Sequence, residues 1–190
     1  MKWELAHNTD KVLYVVRHCQ SSGQQPDAPL TQEGKLQAAL LSDFFSGVQV
    51  ERIVSSPFLR AYQSITPLAE KLGITIEVDD RLKEKVLSTK MLPDWLEWVR
   101  QSFDDLDLCL VGGESGRTAM QRVVTAVDEI FLHDAKVTII VTHGKLMTLL
   151  LKHFDEQTGF TEWQGLTNPD VYKVMIVKDD VEVKRVWEQL

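Results

Sequence analysis

Short apolar runs alternate with longer amphipathic stretches along the chain. The runs are rich in β-branched residues, which is typical of strands buried on both faces. In the stretches, apolar residues recur at helical spacing, as Leu36, Leu40 and Phe44 do. The predicted strands are Val12–Val16, Glu51–Ser55, Ile74–Val78, Lys136–Thr142, Tyr172–Val177 and Val181–Val186. The predicted helices are Thr31–Ser46, Ser56–Leu72, Asp94–Phe103, Ser115–Leu132 and Lys145–His153, with Thr31, Ser56 and Ser115 as N-caps.

This order of elements predicts an α/β fold. Strands separated by helices favour a three-layer sandwich, in which a mostly parallel central sheet is flanked by helices. The last two strands have no helix between them and surround Asp179-Asp180, so we expect an antiparallel hairpin at the carboxyl-terminal edge. Pro67 is expected to kink or shorten its helix. No repeat or linker divides the sequence, which predicts a single domain over residues 1–190.

Composition narrows the class of protein. The 190 residues are 44% hydrophobic and 26% charged, as in ordinary globular domains. The net charge of −7 argues against a nucleic-acid or membrane-surface partner, because both reward clustered positive charge. The longest apolar runs are too short to span a membrane. Two cysteines, Cys19 and Cys109, cannot form a disulfide framework, so we expect a cytoplasmic protein. We expect the protein to be either a monomer or a homodimer.

Residues suited to phosphate chemistry follow four of the predicted strands. Ligands of open α/β sheets bind outside the carboxyl ends of the strands. The first strand is followed by Arg17-His18, the second by Ser56-Pro57 with Arg60 nearby, the third by Glu84, and the central strand by His143-Gly144. Each of these residues alone has an ordinary structural explanation. Their coincidence at four strand ends predicts one shared site.

The segments around these residues also occur in one order along the chain. They are Arg17-His18-Cys19-Gln20-Ser21, Asp27–Gly34 with Gln37-Ala38, Ser55–Ala61, Leu82-Lys83-Glu84, Gly113-Glu114-Ser115 and Val141–Gly144. Together they resemble the motifs of the histidine phosphatase superfamily, also called phosphoglycerate mutase-like. The resemblance covers Val12–Val177. It implies a phosphoglycerate mutase-like fold and transfer of a phosphoryl group through a phosphohistidine.

The resemblance also implies roles for individual residues. It makes His18 the nucleophile, Glu84 the general acid and base, and Arg17, Arg60 and His143 the phosphate ligands. The chemistry agrees, because guanidinium groups donate bidentate hydrogen bonds to phosphate and a poor alkoxide leaving group needs a proton. The residues expected to border the substrate are Gln20, Ser21, Gln24 and Gly144. No cofactor is implied, and no histidine shows metal-ligand spacing.

Two positions depart from the family pattern. Cys19 stands where the family usually has glycine, which adds a side chain beside the nucleophile, and Gln24 stands where many members have asparagine. The His18-Cys19 pair also invites comparison with cysteine-based phosphatases. Their loop ends in an arginine, and the corresponding residue here is Gln25, so that mechanism is not expected.

The predicted function is therefore a metal-independent phosphatase of histidine acid type that acts on a small phosphorylated metabolite. The alternatives are a phosphoglycerate mutase and, less favoured, a non-catalytic module that binds a phosphorylated ligand. The stretch Glu84–Gly112 is short for a lid that would keep water from the intermediate, which favours hydrolysis. Because a binding module has no need of an acid and base, the presence of Glu84 favours an enzyme.

Overall fold

The computed structural model describes residues 11–177 and 180–187. Within these residues, six strands form one sheet in the order β3-β2-β4-β1-β5-β6. Strands β1 to β4 pair in parallel, and β5 and β6 are antiparallel at one edge, which confirms the predicted fold class. The strands are β1 Val12–Arg17, β2 Arg52–Ser55, β3 Ile76–Val78, β4 Val137–Thr142, β5 Asp170–Val177 and β6 Asp180–Arg185.

Helices cover both faces of this sheet. They are α1 Gln32–Phe44, α2 Leu59–Leu72, α3 Trp95–Asp104, α4 Gly116–Leu132, α5 Gly144–Phe154 and α6 Phe160–Gln164, with short 3-10 turns at Phe45–Gly47 and Asp80–Leu82. Successive strand residues point to opposite faces. Val15 and Ile140 pack with residues of α4 and α5, whereas Val16 and Ile139 pack with residues of α1 and α2. All four side chains are fully buried, so the sheet is the middle layer of the predicted sandwich.

The parallel register brings the ends of the central strands to one edge. Arg17 at the end of β1 lies opposite Thr142 of β4, and Ser55 at the end of β2 lies opposite Val141. The Thr142 hydroxyl donates to the carbonyl oxygen of Leu82 at 2.8 Å. This contact fixes the segment after β3 beside the end of β4. The residues that follow all four strands therefore lie close together.

Several predicted element boundaries differ from the structure. Helix α2 begins at Leu59 rather than near Ser56, with Phe58 as its N-cap. The Leu59 N–H, which an N-cap at Ser56 would bind, donates instead to Pro26 O at 2.8 Å. Pro67 does not end α2, which continues to Leu72 with Ile65 and Leu68 buried in the core.

The other differences are small. Helix α6 was not predicted, since five residues are too few to show a helical period. Thr31 and Ser115 cap their helices as predicted. The hairpin is confirmed, with β6 beginning at Asp180; residues 178–179 of its predicted turn lie outside the described residues.

Candidate active site

His18 is held as a neutral imidazole whose lone pair is on Nε2. It is the first residue after β1, and its backbone N–H donates to Thr142 O at 3.0 Å. Its Nδ1 lies 2.7 Å from the carbonyl oxygen of Cys19. Because a carbonyl only accepts, Nδ1 carries the ring proton and Nε2 carries the lone pair. Arg60 Nε donates to that Nε2 at 3.3 Å.

The surroundings of His18 keep it neutral. The pKa of the imidazole is lowered to about 4, mainly by burial and also by the positive charges of Arg60 and Arg17, against the opposing effects of the hydrogen bond to the Cys19 carbonyl and of Glu84. An imidazole with this pKa is unprotonated at neutral pH. Its Nε2 is therefore available as a nucleophile.

Arg60 and Arg17 are held by neutral oxygens. Arg60 is 1% exposed, and its Nη1 donates to Gln24 O at 3.1 Å and to Gln25 O at 2.9 Å. Arg17 Nη1 donates to Leu166 O at 3.0 Å and to Thr167 O at 3.3 Å. All eight arginines of the sequence lie within the described residues, and the other six each form an ion pair with a carboxylate. The two site arginines thus keep their charge unpaired.

His143 lies beside His18 and is fully buried. The two ring centroids are 5.1 Å apart, and His143 Nε2 lies 2.8 Å from the Ser56 hydroxyl. Burial holds the pKa of His143 well below its usual value, and the positive charge of Arg60 acts in the same direction. When the Ser56 hydroxyl donates to Nε2, the proton of this neutral ring lies on Nδ1.

Two polar atoms at this edge have no partner. His143 Nδ1 and Arg17 Nε are buried, and neither forms a hydrogen bond within the described part of the chain. Buried polar groups without partners are rare in folded proteins. Two such atoms beside the neutral imidazole of His18 fit an anion that has several acceptor oxygens, as a phosphate group has.

Glu84 is held at the amino terminus of α5. Its Oε1 accepts from Lys85 N at 2.8 Å and from Leu146 N at 3.1 Å, and its Oε2 accepts from Lys145 N at 3.2 Å. Its negative charge acts on both site arginines and on His18. Glu84 is thus a carboxyl group positioned by the backbone at the edge of the cationic site.

Cys19 is a buried packing residue. It is 0% exposed and belongs to the core cluster of α1 and α2, and its backbone N–H donates to the Ser64 hydroxyl at 2.8 Å. Burial raises the pKa of its thiol to about 12. The thiolate that a cysteine-based phosphatase needs is absent at neutral pH.

The predicted substrate-bordering residues have structural contacts of their own. The Gln20 amide oxygen accepts from the Thr31 hydroxyl at 2.8 Å, and the Ser21 hydroxyl donates to Gly23 O at 2.9 Å. Gln24 supplies its backbone carbonyl to Arg60. A Cβ on Gly144 would lie 3.3 Å from Arg17 Nε, so a small residue suits this position. Contact of these residues with a substrate stays a prediction.

The residues that position His18 and Arg17 were not evident from the sequence. Asn168 Nδ2 donates to the His18 carbonyl at 2.6 Å, from a loop 150 residues away. The carboxylate of Asp170 accepts from Thr167 N at 2.9 Å and from Arg185 at 2.6 Å, which shapes the loop that holds Arg17. The Asn168-Pro169 pair is typical of a turn, but it does not reveal which residues the turn contacts.

Among the described residues, no group of three or more His, Cys, Asp or Glu side chains is arranged to hold a metal ion. Nor does any helix among them have the length and apolar character needed to cross a membrane.

Comparison with known families agrees with the geometry. Residues 13–189 match the model of the histidine phosphatase superfamily, branch 1. The chain belongs to this superfamily. The match covers almost the whole chain and confirms the resemblance seen in the motifs.

Relatives include proteins named both as phosphatases and as mutases. A Hydrogenobacter thermophilus protein named as a phosphoserine phosphatase is 40% identical over 81 residues, which are 39% of this chain and only 40% of that protein. A Yersinia pestis protein named as a phosphoglycerate mutase, GpmB, is 27% identical over 73% of this chain and 72% of its own length. The solved mycobacterial glucosyl-3-phosphoglycerate phosphatase superposes with a TM-score of 0.74 at 23% identity, over 93% of this chain and 97% of that one. At that identity the likeness establishes the shared fold.

The low pKa of His18 can be measured directly. NMR titration of the His18 ring, assigned by comparison with His18→Gln, should place its midpoint near pH 4 rather than 6.5. Since the folded-state pKa lies below the unfolded one, this histidine destabilises the fold progressively as the pH falls from about 6.5 towards 4. A midpoint near 6.5 would contradict the assignment of a neutral, desolvated imidazole.

Proposed function

We propose that this protein is a metal-independent phosphatase that hydrolyses a small phosphorylated metabolite through a phosphohistidine on His18. The observation that carries the proposal is the buried, neutral His18, whose Nε2 lone pair lies among the cationic groups of Arg17 and Arg60. A phosphomonoester requires a nucleophile and concentrated positive charge at one place. We also propose that the protein binds neither nucleic acid nor a membrane. The two free cysteines support a cytoplasmic location.

In the first step, the phosphoryl group moves to the protein. His18 Nε2 attacks phosphorus, a P–N bond forms, and the bond to the ester oxygen breaks. Glu84 acts as the general acid and gives a proton to the leaving oxygen, which departs as an alcohol. His18 then carries a positive charge, which its Nδ1–H···O=C bond to Cys19 stabilises.

In the second step, water attacks the phosphorus of the phosphohistidine. Glu84 accepts a proton from this water, the P–N bond breaks, and inorganic phosphate leaves with His18 neutral again. Arg17 Nε and His143 Nδ1, which have no partner within the described residues, donate to the phosphoryl oxygens in both steps. Their unpaired donors supply the charge stabilisation that a metal ion supplies in other phosphoryl-transfer enzymes.

The nucleophile is tested by substitution and by trapping. His18→Ala should lower kcat for p-nitrophenyl phosphate by several orders of magnitude in a buffer containing EDTA, because no other group can form the intermediate. His153→Ala, at the far end of α5, is the matched control and should keep its activity. Acid-labile phosphate should be trapped on the unmodified protein but not on His18→Ala. Near-normal turnover by His18→Ala, or activity lost in EDTA and restored by a divalent ion, would refute the proposal.

The role of Glu84 is tested by the leaving group. Glu84→Gln should lower kcat/KM for an alkyl phosphate by roughly 10²–10⁴-fold, because the alkoxide then leaves without a proton. The loss should be much smaller for p-nitrophenyl phosphate, whose phenolate leaves readily. Equal losses on the two substrates would instead make Glu84 a binding or structural residue.

The likeness to GpmB keeps phosphoglycerate mutase as a second candidate. A mutase must shield the phosphohistidine from water until the product alcohol is rephosphorylated. With 3-phosphoglycerate and a trace of 2,3-bisphosphoglycerate, a phosphatase should release inorganic phosphate faster than it forms 2-phosphoglycerate. The opposite order would identify a mutase, and the absence of both products would leave a module that only binds its ligand.

A further inference from the structure

The residue proposed as general acid and base lies on a segment without regular structure. Residues 83–88, which include Glu84, belong to neither a helix nor a strand. The segment is nevertheless packed, since Leu82, Lys85 and Leu87 are 0%, 2% and 5% exposed. The Lys85 Nζ has no hydrogen-bond partner among the described residues. A segment that lacks a helix or strand ladder depends for its position on contacts with the rest of the fold.

Arg122 of α4 holds this segment on the side before Glu84. Its Nη1 donates to the carbonyl oxygen of Arg81. Its Nε and Nη2 donate to the two carboxylate oxygens of Glu114, at 3.0 and 2.6 Å. Bidentate pairs of this kind fix the orientation of a guanidinium group. The ion pair is largely buried, with the two side chains 20% and 23% exposed.

Glu114 holds the same segment on the side after Glu84. Its backbone N–H donates to the carbonyl oxygen of Val86 at 2.9 Å. The preceding residue, Gly113, lies so close to this stretch that a Cβ would be 2.2 Å from the carbonyl oxygen of Leu87. The loop before α4 therefore packs directly against the backbone that follows the acid.

The Arg122–Glu114 pair thus joins the two sides of Glu84. It contacts the chain three residues before the acid through the guanidinium, and two residues after it through the backbone of Glu114. Arg122 lies within α4, and Glu114 directly precedes the N-cap of that helix. Both sides of the segment are therefore tied to one helix, and removal of the pair would loosen both at once.

The carboxyl group of Glu84 fills two open places at the start of α5. The first N–H groups of a helix have no acceptor within the helix. Those of Lys145 and Leu146 donate to Glu84, whereas that of Met147 donates to the His143 carbonyl at 2.9 Å. The contact with α5 orients the carboxyl group, and it forms only when the segment lies at the correct distance from the helix.

We propose that Arg122 and Glu114 are positioning residues for Glu84. Their ion pair holds the segment where the carboxyl group reaches both the start of α5 and the leaving oxygen of the substrate. The inference rests on the proposed function, because it concerns the residue proposed as general acid and base. Without the pair, Glu84 keeps its chemistry but loses its position, and a misplacement of about 1 Å can cost about 10²-fold in rate.

A comparison of two leaving groups tests this role. Arg122→Met should lower kcat/KM for an alkyl phosphate about 10–10²-fold more than for p-nitrophenyl phosphate, because only the alkoxide needs a proton from Glu84. A general structural loss affects both substrates alike, so it cancels in their ratio. Glu114→Gln should shift the ratio in the same direction. Arg122→Met/Glu114→Gln should shift it no further than Arg122→Met alone, since both residues act through one pair.

Arg117 provides a matched control on the same helix. It forms the same kind of bidentate pair, with Asp107 at 2.6 and 2.8 Å, but both side chains are exposed. Arg117→Met should therefore leave the ratio unchanged. An equal shift in this variant would show that loss of any ion pair on α4 has the same effect, and it would overturn the proposal.

Hydrogen exchange tests the positioning without any turnover. Among the described residues, the N–H groups of Lys145 and Leu146 have only the Glu84 carboxylate as acceptor. In Arg122→Met they should exchange at least about tenfold faster, as expected for the loss of a hydrogen bond to a charged group. The N–H of Met147, bonded to His143, should keep its rate.

The two tests separate this inference from the proposed function. If Glu84→Gln lowers activity on both substrates equally, or if no phosphomonoester is hydrolysed, the proposed acid is wrong and hydrogen exchange alone decides the positioning. Unchanged exchange at Lys145 and Leu146 would overturn it. An unchanged ratio would also overturn it where Glu84→Gln shifts that ratio. If Arg122→Met fails to fold, Glu114→Gln, which keeps an acceptor oxygen, decides by the same measurements.

Discussion

The site depends on holding cations in place without neutralising them. Arg17 and Arg60 are anchored by backbone carbonyl oxygens, whereas each of the other six arginines, all within the described residues, meets a carboxylate. A carboxylate would fix a guanidinium equally well, but it would also cancel the charge that an anionic ligand needs. Carbonyl dipoles orient the arginines and leave that charge available.

The same positive charge determines the state of the histidines. Buried next to Arg60, His18 stays neutral and keeps its lone pair, and His143 stays neutral for the same reasons. The carbonyl of Cys19 selects the tautomer, so that Nε2 rather than Nδ1 carries the lone pair. Electrostatics and backbone geometry thus fix both the charge and the orientation of the reactive imidazole. The relatives of this chain include proteins named as phosphatases and as mutases, and in the mechanism proposed here both reactions would begin at such an imidazole.

Two loops and one helix turn at the edge of the sheet supply the backbone carbonyl and N–H groups that hold Arg17, Arg60 and Glu84 in place. The loop after β1 supplies Gln24 and Gln25 to Arg60, and the loop before β5 supplies Leu166 and Thr167 to Arg17. The first turn of α5 supplies two of the N–H groups that hold Glu84. The parallel strands β1, β2 and β4 bring these loops together, so the sheet register is what makes the site possible.

The sequence by itself determined the strand and helix pattern, the family, and the residues with reactive side chains. Those signals are local, because a buried strand shows its own apolar run and a histidine or arginine shows its own chemistry. Only the tertiary structure decided how Ser56, Asn168 and the carbonyls of Leu166 and Thr167 take part, and that Lys85 is buried without a partner. The reason is that these contacts join residues far apart in the chain. Several use backbone atoms, which every residue carries and no sequence pattern can single out.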